Sequence, residues 1–323
     1  MSVSYSIVAG ALLGGAVGDA MGAPFEGLWS DDIPAKSALL SWYHEYHGYP
    51  NGQYTDDTQL TLATIHSIVE NQEIVLGDVA RSIAELWRNH SVIGPGGACT
   101  QAAERYLATG EFVEMGAPVG QAGNGTAMRT AAVGLWFDSG DRRSLVSSVA
   151  EISRLTHRDP RSVAGGVVVA LAAHVFSSEP LIDSKALCEL LAEAVYEIDQ
   201  EFSGLLRELP SEMGSEDCRT FLAAAGQGYA EFSAPIISPF VVPTVLASLY
   251  SVLVCRESWS DAVTTAIKLG GDVDTLGAIV GALAGIIHGV EGIPIRLIDE
   301  LQDSRSIAVL ATRYHAAIEA RST

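Results

Sequence analysis

Apolar residues recur every three or four positions along most of this chain, the spacing of a helix with one buried face. From Asp56-Asp57 the run passes through Leu60, Ala63 or Thr64, and Ser67 or Ile68 to Glu70. Asp78 stands where it can cap a helix over 79–87. Asp159-Pro160 pairs an N-cap with proline at the first helical position, ahead of a small apolar run to Phe176. Further helices are predicted over 184–195, 217–232, 243–255, 258–269 and 274–288, with Gly289 as a stop, and the pattern continues from Pro294. Alternating Val/Ile-rich runs do not recur at regular spacing, and helices do not alternate with strands. The glycine- and proline-rich loops at 94–97 and 116–125 are too short to link domains. The prediction is a single all-α domain over residues 1–323.

Small residues sharpen that picture. Ala9, Gly10, Gly14, Gly15 and Gly18 lie in the first helix, and Gly277, Gly281 and Gly285 in the 274–288 helix. Each interior glycine costs about 1 kcal/mol of helix propensity, so close packing of helices must compensate. Central helices wrapped by others are expected.

Composition narrows the classes. Hydrophobic residues are 48% and charged residues 18%, which excludes disorder over most of the length. The formal net charge of −20 argues against general nucleic-acid binding, which needs positive side chains on phosphates. Cys99, Cys188, Cys218 and Cys255 form no CxxC or zinc spacing and are expected to be free thiols in a reducing cytoplasm. Three uncharged stretches test for membrane insertion. Residues 1–18 lack a basic n-region, the first basic residue being Lys36. Residues 232–255 are interrupted by Pro235, Pro239 and Pro243, leaving well short of the about 20 residues a span needs. Residues 273–290 are also short and carry Asp274 and His288. All three are read as buried helices, with no membrane partner.

Two acidic clusters stand out, Thr55-Asp56-Asp57-Thr58 and Gly270-Gly271-Asp272-Val273-Asp274-Thr275, each ahead of an apolar helix. Acids at helix starts ordinarily cap amides and oppose the dipole. One cap needs one carboxylate, however, and each cluster offers two plus a hydroxyl. Six hard oxygen donors suit Mg²⁺, Mn²⁺ or Ca²⁺, and two such ions sharing a carboxylate make the usual two-metal hydrolytic site. Gly123-Asn124-Gly125, with Arg129 close by, is either a tight turn or an anion nest. The glycines around Gly14 and Gly18 match neither a P-loop nor a dinucleotide fingerprint, and there is no Gly-x-Ser-x-Gly elbow. His44 and His47 fall one residue short of the HExxH zinc spacing. Trp42, Tyr43, Tyr46, Tyr49 and Tyr54 crowd the loop before the first cluster, as a packed surface loop or as an aromatic wall over a substrate.

The ordered blocks GDAMGAPFE, TDDTQ, GNGTAMR, THRDP and GGDVDT resemble the ADP-ribosylglycohydrolase family from Gly10 to about Gly289. The resemblance implies an orthogonal all-α fold with two divalent cations, Mg²⁺ or Mn²⁺, in a central cleft. It implies Thr55, Asp56, Asp57, Asp272, Asp274 and Thr275 as metal ligands. Glu26 falls beside the metals, as ligand or proton carrier. Gly123, Asn124 and Gly125 fall on the loop that holds ADP-ribose, and His157 on the block approaching it. Ala122 offers no aromatic face for adenine.

The implied activity is hydrolysis at the anomeric carbon of ADP-ribose, first of all release of ADP-ribose from arginine on a protein. Glu26, Asp57 and Asp274 are the candidate catalytic carboxylates. Serine-linked or small-molecule ADP-ribose, such as O-acetyl-ADP-ribose, is the alternative substrate. A non-catalytic binder or crystallin-like relative is the alternative of another class, and the complete set of acids argues against it.

Overall fold

The computed structural model describes residues 3–226 and 236–321. Among these there is no strand, only four isolated bridges between loops. Helix α1 (Tyr5–Gly22) starts at Ser4, whose hydroxyl accepts from the Ile7 amide at 3.3 Å. The single turn α2 (Lys36–Leu39) sits in the long loop that follows. Next come α3 (Asp56–Asn71), α4 (Leu76–Arg88), α5 (Gly97–Thr109), the one-turn α6 (Ala131–Gly134) and α7 (Arg142–Arg154). α8 (Pro160–Ser178) begins at the Asp159-Pro160 start, where the Asp159 carboxylate accepts from the Arg161 amide at 3.0 Å. α9 (Ser184–Val195), α10 (Gln200–Glu212), α11 (Cys218–Ala224), α12 (Val241–Val254), α13 (Trp259–Ile267) and α14 (Val273–His288) follow. α15 (Ile295–Glu300) and α16 (Ser304–Arg321) complete the described chain.

Several starts differ from the expected ones. Asp78 is not a cap: α4 begins at Leu76, and the Asp78 carboxylate, in its first turn, accepts from Ser67, Asn71 and Arg81. α12 begins two residues before Pro243, which its first turn tolerates because that amide has no partner there. α11 ends at Ala224, and the later part of the expected 217–232 helix lies outside the described residues. Helices α5, α7 and α10 lie in segments for which the sequence pattern predicts none.

α1 and α14 form an antiparallel pair at the centre. Gly10 faces Gly285, Gly14 faces Gly281, Gly18 faces Gly277, and Gly22 faces Val273. At each, a Cβ would stand closer to the opposing carbonyl oxygen than any real side-chain contact, so the backbones themselves are touching. The Trp259 indole N–H closes the seam by donating to the Gly281 carbonyl at 2.9 Å. Glycine is thus kept here despite its propensity cost, because main chain packs on main chain. Both helices, like α8, are apolar all round and buried on every side. One cluster of buried apolar residues extends from Val8 to Ile318. Two helical segments, Tyr5–Phe25 and Pro160–Ser178, are long and apolar enough to cross a membrane, and most of each is buried inside the protein. The four cysteines are free thiols.

Candidate active site

The antiparallel seam brings the end of α1 to the beginning of α14, and so Glu26 to Asp272 and Asp274. Three loop segments lock that junction. Gly27 donates to the Gly271 carbonyl at 2.8 Å, and Gly271 to the Leu28 carbonyl at 2.9 Å. Ile237 donates to Gly270 at 3.1 Å, and Asp272 to Ile237 at 2.8 Å. Gly270 and Gly271 have φ of +78° and +88°, a region side chains rarely adopt, and a Cβ on Gly271 would strike the Ile237 carbonyl. The result is a group of three carboxylates, Glu26, Asp272 and Asp274, whose ligand oxygens lie within 4.8 Å of one another.

The other acidic pair is set by a residue whose role the sequence did not disclose. Asp19, fully buried near the end of α1, accepts from the Thr55 amide at 3.0 Å and the Thr58 amide at 3.0 Å. It also accepts the Thr58 hydroxyl at 2.6 Å, and the Thr55 hydroxyl lies 2.9 Å away. A carboxylate from another helix therefore satisfies the start of α3, with the Thr55 hydroxyl accepting from Asp57. Capping does not occupy Asp56 or Asp57, and Asp57 Oδ1 is buried with no hydrogen-bond partner. Asp272 likewise makes no capping bond at the start of α14.

Both clusters meet in one cleft of about 390 Å³, within the roughly 300–1,000 Å³ range of small-molecule sites. Its lining includes Glu26, Asp56, Asp57, Asp272, Asp274 and Thr275, together with Gly123, Asn124, Gly125 and His157. Thr55 does not line it and instead stands behind Asp57, 3.2 Å from Asp57 Oδ2. Among the described residues no Lys or Arg ion-pairs with any of these five carboxylates. A buried carboxylate oxygen without a partner, amid uncompensated acids, fits a hard divalent cation.

The glycine loop is tied to the acids. The Asn124 amide nitrogen donates to Asp272 and, at 3.0 Å, to the Thr244 hydroxyl. A Cβ on Gly125 would lie 2.8 Å from both Cys99 Sγ and the His157 ring, and one on Gly123 3.1 Å from His157 Nε2. These glycines are needed because His157 packs beneath them, whatever the ligand requires. His157 is buried, with its pKa lowered to about 3 by desolvation and by Arg129, so the ring is neutral. Arg129 is not exposed to an anion. Its guanidinium is fully buried behind the loop and donates to the Gly125 and Ile152 carbonyls.

The aromatic loop divides. Tyr43 and Tyr54 point inward, their hydroxyls donating to the Leu297 carbonyl at 2.8 Å and to Asp303 at 3.0 Å. Trp42 and Tyr49 are exposed, and none of the five aromatics lines the cleft. Among the described residues the Phe, Tyr or Trp that does line it is Phe240, beside Pro239, with the Arg161 guanidinium 5.2 Å from its ring centroid. Its signal in the sequence was slight: one Phe in a proline-rich stretch, remote from every motif. His44 packs between Phe25 and Trp42 rather than in the group of metal-capable residues.

Burial raises the pKa of Asp56, Asp57, Asp272, Asp274 and Glu26, and that of Asp19 to about 6. Neighbouring acids add to the rise for Asp56, Asp57, Asp274 and Glu26. A raised carboxylate stabilises the fold below its unfolded value of about 4, and that contribution is lost as pH climbs through the folded value. In excess chelator the melting temperature is therefore expected to fall from about pH 5 to pH 8, with Mg²⁺ or Mn²⁺ restoring it at pH 8. A chelated protein equally stable at both ends would contradict this electrostatic picture.

The ADP-ribosylglycohydrolase sequence profile matches residues 2–323. The chain belongs to the ADP-ribosylglycohydrolase family. This glycohydrolase is 26% identical to ADP-ribosylhydrolase ARH3 of Xenopus tropicalis, covering 91% of each chain. It is 28% identical to the ADP-ribosyl-[dinitrogen reductase] glycohydrolase of Rhodospirillum rubrum, over 88% of this chain and 86% of that one. A solved structure titled as an ADP-ribosylglycohydrolase-related protein complex superposes with a TM-score of 0.74 and 26% identity, covering 97% of this chain and 98% of the other. It is therefore an enzyme of that family, with an acidic cluster able to hold metal.

Proposed function

We propose that this glycohydrolase removes ADP-ribose from a protein side chain, arginine first, using two divalent cations, Mg²⁺ or Mn²⁺. The observation that carries this reading is the meeting of five carboxylates, none ion-paired with a Lys or Arg among the described residues, with the Gly123–Gly125 loop in one cleft. Thr55, Asp56, Asp57, Asp272, Asp274 and Thr275 are the proposed ligands, Thr55 through an oxygen held beside Asp57 and Asp19. Bound there, the cations supply Lewis acidity toward ribose hydroxyls and water.

The chain's own residues do the rest. Glu26 is the exposed acid of its group, and its raised pKa suits it to take a proton at the cleft mouth. Asp57 and Asp274, the other catalytic candidates, keep negative oxygen near the anomeric carbon, which favours an oxocarbenium-like transition state. Asn124 holds Asp272 in place, and neutral His157 supports the loop against which ADP-ribose lies. Phe240 offers the adenine a flat apolar face, backed by Arg161. The acid-lined cleft favours a cationic guanidinium as the leaving group's carrier. With a net charge of −20 the protein is proposed to work on modified proteins without nucleic acid or membrane, and its free thiols suit the cytoplasm.

The test is turnover of arginine-, serine- and acetyl-linked ADP-ribose, chelated and with each metal, for wild type and Phe240→Ala. Metal-dependent release from arginine, with Phe240→Ala raising KM about tenfold more than it lowers kcat, is expected. Turnover confined to serine or acetyl linkages would replace the arginine assignment. Full activity in chelator would remove the metals.

A further inference from the structure

The segment after Glu26 exposes more aromatic surface than its loop needs. Trp29, Trp42 and Tyr49 are 42%, 50% and 41% exposed, with Leu28 beside them in sequence. Exposed apolar residues scattered singly are ordinary, but these are linked through their neighbours to the surroundings of the site. Trp29 follows Glu26 by one turn, which the Gly27–Gly271 bond pins to the start of α14. Trp42 lies 6.1 Å from the His44 ring, which stacks edge-on at 5.0 Å against Phe25, the neighbour of Glu26. Tyr49 stacks at 5.6 Å on Tyr46, whose hydroxyl would stand 3.4 Å from a Cβ added to the cleft-lining Gly94.

The same segment is acidic. Asp31, Asp32 and Glu45 are exposed among the aromatics, and Lys36, the sole Lys or Arg in residues 1–80, is paired with Asp261. None of Leu28, Trp29, Trp42 or Tyr49 lines the cleft. They follow Glu26 along the chain, while the proposed ADP-ribose contacts Gly123, Asn124, Gly125, His157 and Phe240 line the cleft itself.

We propose that residues 28–49 form a docking collar for the carrier protein and take an Arg/Lys-rich stretch of it beside the modified side chain. Aromatic faces and carboxylates together suit cationic side chains, through cation–π contact and charge. A free ADP-ribosylated amino acid has no such stretch and gains nothing from the collar. The inference rests on the reading that the leaving group belongs to a protein.

The experiment compares Trp42→Ala, Tyr49→Ala and the pair Asp31→Asn/Asp32→Asn with wild type. On an arginine-ADP-ribosylated basic peptide, kcat/KM should fall about tenfold, through KM, while free ADP-ribosyl-arginine changes less than about twofold. Binding of the unmodified basic peptide, followed by tryptophan fluorescence, should weaken about tenfold in Tyr49→Ala and the Asp pair, and an acidic peptide of equal length should not bind. Equal losses on peptide and free amino acid, or binding of both peptides alike, would overturn the collar. The binding measurement holds whichever linkage is cleaved, so failure of the arginine reading shows separately in the turnover assay.

Discussion

Replacing Asp57 or Asp274 by Asn is expected to cut turnover at least about 100-fold, roughly 2.7 kcal/mol of transition-state stabilisation. Asn caps a helix about as well as Asp, so a capping role predicts almost no change. The structure already assigns capping elsewhere: Asp19 and Thr55 satisfy the start of α3, leaving Asp57 Oδ1 without a partner. Asn keeps a neutral oxygen but gives up the charge that holds a divalent ion. Metal-free stability should hold or rise, because one buried charge leaves a crowded acidic cleft. The metal-dependent gain in melting temperature should shrink. Asp183→Asn is the proper control, since Asp183 is a true cap accepting from Lys185 and Ala186 at 3.0 Å each. Asp78, which binds three side chains, is not. Near-normal activity in both test variants would return these acids to a structural role.

Gly18→Ala should be strongly destabilising for a single methyl, at about 3 kcal/mol or somewhat more. Its Cβ would be driven into the Gly277 carbonyl, and the neighbour that must give is backbone. A loss of that size lowers the melting temperature by about 4–5 °C in a chain this long. Gly204→Ala in α10 is the opposite case. Nothing lies within 4 Å of its added methyl, and the helix should gain about 0.5–1 kcal/mol. The same substitution thus changes sign with what faces the glycine. Differential scanning of both variants checks this; a Gly18→Ala protein as stable as wild type would mean that α1 and α14 are not in backbone contact.

What the sequence disclosed about the site came from helix starts. Asp56-Asp57 and Asp272-Val273-Asp274 were recognisable because more acids stood there than capping uses. Their meeting was not recognisable. It depends on which helix packs against which, and the four-residue glycine spacing in α1 and α14 showed only that both demand a close neighbour. Asp19 was hidden because an acid inside an apolar helix gives no sign of which distant amides it will serve. Arg129 misled in the other direction: beside a glycine loop a cation suggests an anion site, yet its guanidinium braces carbonyls from behind. Helices α5, α7 and α10 carry weak local signals. α5 opens on glycines without a side-chain cap, α7 is rich in serine, and α10 carries Gly204 and Pro210.

The antiparallel seam also decides when the site can exist during biosynthesis. Its two strips of glycine come from opposite ends of the described chain, and Glu26 meets Asp272 only once α14 has left the ribosome and docked. A nascent chain therefore carries the first acidic pair for most of its synthesis with no second pair to close a cation between them. The complete set of acids is thus assembled in one late step, set by the topology alone.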